Sequence, residues 1–502
     1  MPPPDAVDLW GCRIDRGAVQ VLIERFLAGA LVDIPNKTRL GSDGFRAAIA
    51  SRQAQLTAAG FTAGRPVLIA HGGSADFFRD LFAVWGLGGI AACVSAELTA
   101  SQRETLVRFL KPCALLATAE MALGESVSGV PVLAAHGGDG GVLRDIAVPS
   151  DGPCLILFTS GTTGDPKGVV HSWASLAARI DLNLAQIPAA DLQRTLCALP
   201  THFGHGLIGN SLTALAAGAE LHLLGPRLAR AGMEIGGLID AHGITFLSSV
   251  PTLWKMALKL STPPTRASLR RIHVGSAPLS AELWRAIQRW AGIEAVLNMY
   301  GITETANWVA GADPRRVPIE DGMVGEPWGG AFAVLDGQGR RQSQGDGEIV
   351  VSTPSLMHGY WARPDLTEAA LCEGWYRTGD TGWIDAAGIV RLHGRIKDEI
   401  NRAGMKVQPA EIDLLLERHS AVAEACCFGM PDDILGEKIA VAIVPAGAAA
   451  PDLAALKAWC RERLHAASVP ERWFIVGEIP RTDRGKIRRE AVMQYCLARE
   501  KL

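Results

Sequence analysis

The sequence predicts an α/β protein with more than one core, and three observations carry that reading. Apolar strand-like runs alternate with helical ones over short connections: Pro66 to Ala70 reads as a strand, Ser74 to Trp85 as a helix and Ile90 to Val94 as the next strand. That alternation is the signature of parallel, layered α/β structure. The chain has 502 residues, beyond the roughly 100–200 that one domain usually takes. Near Lys397 the composition changes to a charged, helix-rich segment with short strands, so a domain boundary is expected there, with residues 1–396 before it and 398–502 after it.

Taken in order, a weakly patterned arm leads to an amphipathic helix from Phe45 to Ala59 that Gly60 closes. Gly86 to Ala91 fits the loose dinucleotide pattern G-x-G-x-x-A. That fingerprint must follow a strand and open a helix; here it follows a helix and opens a strand, so it reads as a turn. Leu155 to Phe158 is a buried strand, and Thr159-Ser160-Gly161-Thr162-Thr163-Gly164-Asp165-Pro166-Lys167 follows at once. Glycines let backbone approach a ligand closely, and free N–H groups, hydroxyls and an ammonium together cradle oxyanions. The chemistry is that of a phosphate-binding loop, although the Walker spacing G-x-x-x-x-G-K-[ST] does not fit it. A helix from about Ser172 to Ala185 comes next.

The middle of the chain supplies strand ends. A strand from Leu196 runs into Pro200-Thr201-His202-Phe203-Gly204-His205-Gly206-Leu207. Thr245 to Pro251, which includes Val250, reads as a strand and turn, and a strand from Arg271 runs into Gly275-Ser276-Ala277-Pro278. Small residues at the carboxyl end of a parallel strand leave room for a flat ring. Asn298-Met299-Tyr300-Gly301-Ile302-Thr303-Glu304 places an aromatic, a hydroxyl and a carboxylate within five residues. Tyr300 can stack on a base, Thr303 can donate to a phosphate oxygen, and Glu304 can hold Mg2+, a hard cation that takes carboxylate, water and phosphate oxygens. Trp375 to Gly382 contains Asp380, Gly394-Arg395-Ile396-Lys397 opens the last section, and Ile479 to Ile487 contains Gly485-Lys486. Of only four tyrosines, Tyr300, Tyr360 and Tyr376 fall inside these motifs, which core filling does not explain.

Other classes are disfavoured. A formal charge of −3 gives no basic footprint for nucleic acid. The ten cysteines lack C-x-x-C spacing, so they read as reduced thiols of a cytoplasmic protein rather than a zinc site or a disulfide framework. The start, Met1-Pro2-Pro3-Pro4-Asp5, lacks the basic region of a signal peptide. The longest apolar run, Phe82 to Val94, contains three glycines and is too short to span a bilayer. There is no G-x-S-x-G elbow, and no residue pattern bears on oligomeric state.

In residues and in order, these motifs resemble those of the adenylate-forming family, which includes acyl-CoA synthetases, adenylation domains of peptide synthetases and luciferases. The resemblance covers almost the whole chain. It implies a large N-terminal α/β domain with layered sheets and a small mobile C-terminal α+β domain, hinged at Lys397. It also implies a reaction in which a small carboxylic acid and ATP give an acyl-adenylate and pyrophosphate, after which a thiol takes the acyl group. By the same resemblance Thr159 to Lys167, Gly275 to Pro278, Tyr300, Gly301 and Thr303 hold ATP, Asp380 and Arg395 hold its ribose, and Glu304 holds Mg2+. Lys486, Thr303 and Lys167 steady the developing charge, and Gly404 and Lys406 lie in the loop that meets the thiol.

The acyl pocket is assigned to His202, Phe203, Val250 and Trp308, with either His202 or Phe203 as its gate. Acetate-specific members carry a tryptophan near the position of Gly301, so glycine there implies room for a larger acid. Amino-acid-activating members place an aspartate in the segment of Leu196 to Ala219, and this chain has none there. Phe203, Val250 and Trp308 without a counter-charge favour an apolar, aromatic or medium-chain acid. The thiol is coenzyme A or the phosphopantetheine of a separate carrier protein; no carrier segment is expected after Lys486. A non-catalytic nucleotide-binding relative is the third reading, and intact Lys486, Glu304 and Asp380 argue against it.

Overall fold

The computed structural model describes residues 16–118, 126–134, 152–159, 166–225, 228–482 and 487–500. Ser160, Gly161, Thr162, Thr163, Gly164 and Lys486 lie outside the described residues. Among those described, the strands form sheets of eight, fifteen and five.

The eight-stranded sheet is centred on Ile90–Cys93, Pro66–Ala70 and Ala114–Ala117, which run parallel. Every residue of these three strands is buried, as parallel strands covered on both faces must be. Helix Ala75–Gly86 begins where Ser74 accepts the Phe77 N–H, a side-chain cap for an otherwise unpaired donor. Just past its end at Gly86, Gly88 at φ 73° makes the helix-to-strand turn expected of this segment. The helix buries Phe77, Phe78, Phe82 and Trp85, each worth about 1.5–3 kcal/mol in transfer terms. Trp85 donates to the Cys154 carbonyl at 2.8 Å and meets Trp173 edge-on at 5.0 Å. That contact fixes strand Pro153–Thr159 and helix Trp173–Gln186 on the same core.

The fifteen-stranded sheet has a parallel centre of Glu220–Leu223, Arg194–Cys197, Phe246–Ser249, Arg271–Gly275 and Val296–Ile302. It then turns antiparallel through Asn307–Ala312 and Met323–Pro327 and continues into Val390–Arg395 and Trp375–Ile384. The register gathers the carboxyl ends of the parallel strands along one edge, where open α/β sheets bind ligands. Strand Pro153–Thr159 pairs antiparallel with Lys167–Ser172, which sets Thr159 opposite Lys167.

From residue 400 onward the five-stranded sheet carries the helices Pro409–Glu417, Leu453–Arg463 and Arg489–Glu500. Its apolar residues pack among themselves, around Ile439 and Val441 on one side and Ala440 and Phe474 on the other. Polar contacts tie this part to the larger one. Lys255 Nζ reaches both Glu417 oxygens at 2.9 Å, Arg418 pairs with Asp321, and Gln408 donates to Thr381 Oγ1 at 3.2 Å. Among the described residues no helix is long and apolar enough to cross a membrane.

Candidate active site

Two buried clusters form where the sheets meet. Strand pairing sets Asp380 opposite Arg395, and Tyr300 comes from the end of Val296–Ile302. The Tyr300 hydroxyl donates to Asp380 Oδ2 at 2.5 Å, and Arg395 Nε donates to Oδ1 at 2.8 Å. Each carboxylate oxygen keeps a further lone pair, so Asp380 retains acceptor capacity. Burial, with the Asp380 charge second, pushes the Tyr300 phenol well above its ordinary range, so it remains a donor. The Asp380 charge in turn raises the pKa of Arg395.

The second cluster surrounds Glu304, in the short turn Thr303–Thr305. The Tyr360 hydroxyl donates to Glu304 Oε1 at 2.8 Å, and the buried Tyr376 packs in the same cluster as Tyr360. Burial first and the Glu304 charge second push both phenols upward, again keeping them protonated. Lys167 Nζ lies 4.6 Å from the Tyr360 ring centroid, a cation–π contact that brings its ammonium to this cluster. Backbone bonds clamp the arrangement: the Met357 N–H donates to the Glu304 carbonyl and the Trp361 N–H to that of Gly168, both at 2.7 Å. His171 is wholly buried beside the Thr303 backbone, and burial lowers its pKa to about 4. Three of the four tyrosines therefore lie beside two carboxylates.

Glu304 offers oxygen to a cation but does not surround one. Among the described residues no three His, Cys, Asp or Glu side chains gather as a metal cluster. One carboxylate with free lone pairs suits Mg2+, which takes one or two protein carboxylates and fills its shell with water and phosphate.

The residues assigned to the acyl pocket are buried, Trp308 in one packed cluster and Val250 in another. Val250 caps helix Pro251–Leu260 and is buried. Gly275 ends its strand, and Ser276, Ala277 and Pro278 bend away from it, with Ser276 at φ 68°. The rings of His202 and Phe203 lie 6.0 Å apart. Trp308 is buried, 1% exposed, and meets His205, His273 and Trp328 edge-on at 5.5, 4.7 and 6.1 Å. The room expected beside Gly301 is taken: a Cβ there would lie 2.8 Å from the Asn307 carbonyl carbon and 3.0 Å from the Trp308 nitrogen. Glycine at 301 lets the neighbouring strand approach closely. Lys397 is exposed in the turn Ile396–Asp398. Gly404, at φ 85°, gives its N–H to Asn401 Oδ1 at 3.0 Å, and Lys406 beside it pairs with Glu399 at 3.0 Å.

Two residues stand out that sequence reasoning did not single out. Arg179, wholly buried on helix Trp173–Gln186, donates to Ser355 Oγ at 2.6 Å and to the Trp328 carbonyl at 2.9 Å. Ser355 donates onward to the Thr305 carbonyl at 2.9 Å, so Arg179 positions the Glu304 turn. Burial lowers its pKa to about 9. An arginine in an apolar helix was the available signal. His205 is the other, placed by a π-helical stretch, His205–Leu212. Its Nδ1 lies 2.8 Å from Ser276 Oγ and its Nε2 2.6 Å from Ser248 Oγ.

Comparison with known proteins gives this geometry a family. The model of the AMP-binding enzyme family matches residues 45–361, and that of the AMP-binding enzyme C-terminal domain matches residues 411–486. A probable CoA ligase of Humulus lupulus, CCL9, is 35% identical over 355 residues, 70% of this chain and 67% of the relative. An oxalate–CoA ligase of Arabidopsis thaliana is 34% identical over 355 residues, 70% and 68% of the two chains. The anthranilate CoA ligase AuaEII, solved with anthranoyl-AMP, shares the fold at a TM-score of 0.87 and 23% identity, covering 98% of this chain and 99% of that one. The chain belongs to the AMP-binding enzyme family, the adenylate-forming ligases.

Proposed function

We propose that the chain is an AMP-forming acid–thiol ligase that uses coenzyme A. An oxygen of the acid's carboxylate attacks the α-phosphorus of ATP, and the bond to the bridging oxygen breaks as pyrophosphate leaves. The thiol sulfur then attacks the acyl carbon, AMP departs with the C–O electron pair, and the thiol proton passes to solvent. The observation that carries this reading is the pair of buried carboxylates at the strand ends, Asp380 held by Tyr300 and Arg395, and Glu304 held by Tyr360 beside Lys167. Asp380 has acceptor capacity for a ribose hydroxyl. Thr159, Thr303 and Lys167 offer donors and positive charge to phosphate oxygens, and charge stabilisation of this kind dominates such transfers. Bound at Glu304, Mg2+ would neutralise phosphate charge.

Relatives named as CoA ligases support coenzyme A as the acceptor. Lys486 in the adenylating arrangement and the Gly404–Lys406 loop in the thiol-transferring one would take turns at the site, with Lys397 absorbing the rotation. The nine cysteines of the described residues are free thiols, in keeping with a reducing, cytoplasmic setting.

The test separates the half-reactions. Lys486→Ala is expected to abolish acid-dependent pyrophosphate release while largely sparing thioester formation from preformed acyl-adenylate. Equal loss in both steps would remove Lys486 from the adenylation role. Thioester formed with holo-carrier protein but not with coenzyme A would reassign the acceptor.

A further inference from the structure

We infer that the acid activated here is short and carries a second oxygen function close to its reacting carboxyl, as in a hydroxy, keto or dicarboxylic acid; the inference rests on the ligase reading above and narrows it. The wall behind the Ser276 turn is polar. His205 bridges Ser276 Oγ and Ser248 Oγ at 2.8 and 2.6 Å. Ser248 and His273 are register partners on adjacent parallel strands, so they project to the same face of the sheet. His273 is wholly buried, and among the described residues neither of its ring nitrogens has a hydrogen-bond partner. The same holds for Asn307 Nδ2 and Trp308 Nε1, both buried.

Buried polar atoms are ordinarily paired, and each exception calls for a reason. Here several exceptions collect around one tryptophan, and Asn307 and Trp308 both present N–H donors. Nearby backbone is also held in rarely used conformations, with Ser276 at φ 68°, Ala306 at 56° and Asn307 at 110°, a mark of functional sites. An alkyl or aryl tail would leave those donors unmatched, whereas an oxygen-bearing tail accepts from them. Sites built to hydrogen-bond a substrate discriminate strongly against analogues that lack the group.

Depth sets the length. Trp308 closes the floor against His205, His273 and Trp328. The π-helical stretch sits so close that a Cβ on Gly209 would lie 1.7 Å from Asn307 Nδ2. That close contact between the stretch and the strand end is the ground for expecting a short acid.

The experiment measures acid-dependent pyrophosphate release by the full chain with glycolate, glyoxylate, oxalate and malonate against propionate, butyrate, hexanoate and benzoate. The expected result is kcat/KM at least about tenfold higher for one or more oxygen-bearing acids than for propionate or butyrate. His205→Phe keeps the ring volume and is expected to lower that preference about tenfold with KM for ATP within about twofold of the parent. Ser276→Ala, on the partly exposed turn, serves if melting shows that His205→Phe is unfolded, and should lower the preference in the same direction. Hexanoate or benzoate used as well as the oxygen-bearing acids, or a preference unchanged in a folded variant, overturns the inference and leaves the ligase reading standing. Pyrophosphate release with none of the eight acids overturns the ligase reading and this inference together.

Discussion

Around Asp380 and Glu304, two buried phenols and a partly exposed arginine hold two buried carboxylates at fixed distances. Around Gly404 the chain is a two-strand ribbon, Ile400–Arg402 against Met405–Val407, with its residues exposed from 403 to 406. On the proposed reading the first region would bind a nucleotide by pre-organisation, because its phenols and carboxylates are already buried and paired and little must be ordered when one arrives. The second is lightly held. The Lys406–Glu399 pair is a surface ion pair of the kind worth little, so this loop can meet different partners at little cost. A two-step enzyme needs both kinds of surface, one to retain the nucleotide and one to be exchanged.

The largest effect expected from that contrast comes from stiffening the connection between the two regions. Lys397 is exposed, and proline there fixes φ and removes a donor. Lys397→Pro should leave acyl-adenylate formation measurable and reduce thioester formation about a hundredfold, the scale of a misplaced reacting group. Circular dichroism checks that the small region remains folded. Both half-reactions at the parental rate in a folded variant would move the hinge elsewhere.

A smaller effect is expected inside the pre-organised region. Asp380→Ala removes the acceptor shared by Tyr300 and Arg395 and should weaken ATP binding by about 1.5–3 kcal/mol, the worth of a hydrogen bond to a charged group. Calorimetry with ATP measures it, and unchanged affinity would take Asp380 out of the ribose site. The thiol half-reaction from a supplied adenylate should suffer in parallel, because adenylate uses the same contacts.

The smallest effect is on stability. His171 has its pKa lowered from 6.5 to about 4 by burial. Between those values the unfolded chain takes up a proton at this position and the folded chain does not. Stability therefore rises with pH through that window and is lost as pH falls. Denaturant unfolding at pH 5 and pH 7 should differ less in His171→Phe than in the parent, by on the order of 1 kcal/mol. An unchanged difference would show that other groups set the acid sensitivity.

How much of this could be read before the fold was seen depended on distance along the chain. The hairpin strands, the Tyr300 to Glu304 run and the Asp380 segment are local, and their chemistry shows in consecutive residues. Arg179 and Ser355 are 176 residues apart, and nothing local to either announces the other. The polar wall at His205 was hidden for the same reason: its serines sit 43 and 71 residues away, while Phe203, Val250 and Trp308 were visible and pointed toward an apolar acid. Gly301 is a different case. A missing side chain looks like space in a sequence, but the neighbouring strand had already taken it.

The ion pairs between the two regions carry one more consequence. Lys255–Glu417 and Arg418–Asp321 join partly exposed side chains, and any large rotation of the small region must part them. Partly exposed charges are screened over a Debye length of about 8 Å at physiological ionic strength and about 3 Å at 1 M. Added electrolyte therefore weakens this arrangement relative to any other that lacks such pairs, so with the proposed rotation salt would act on the timing of the two half-reactions as well as on affinity.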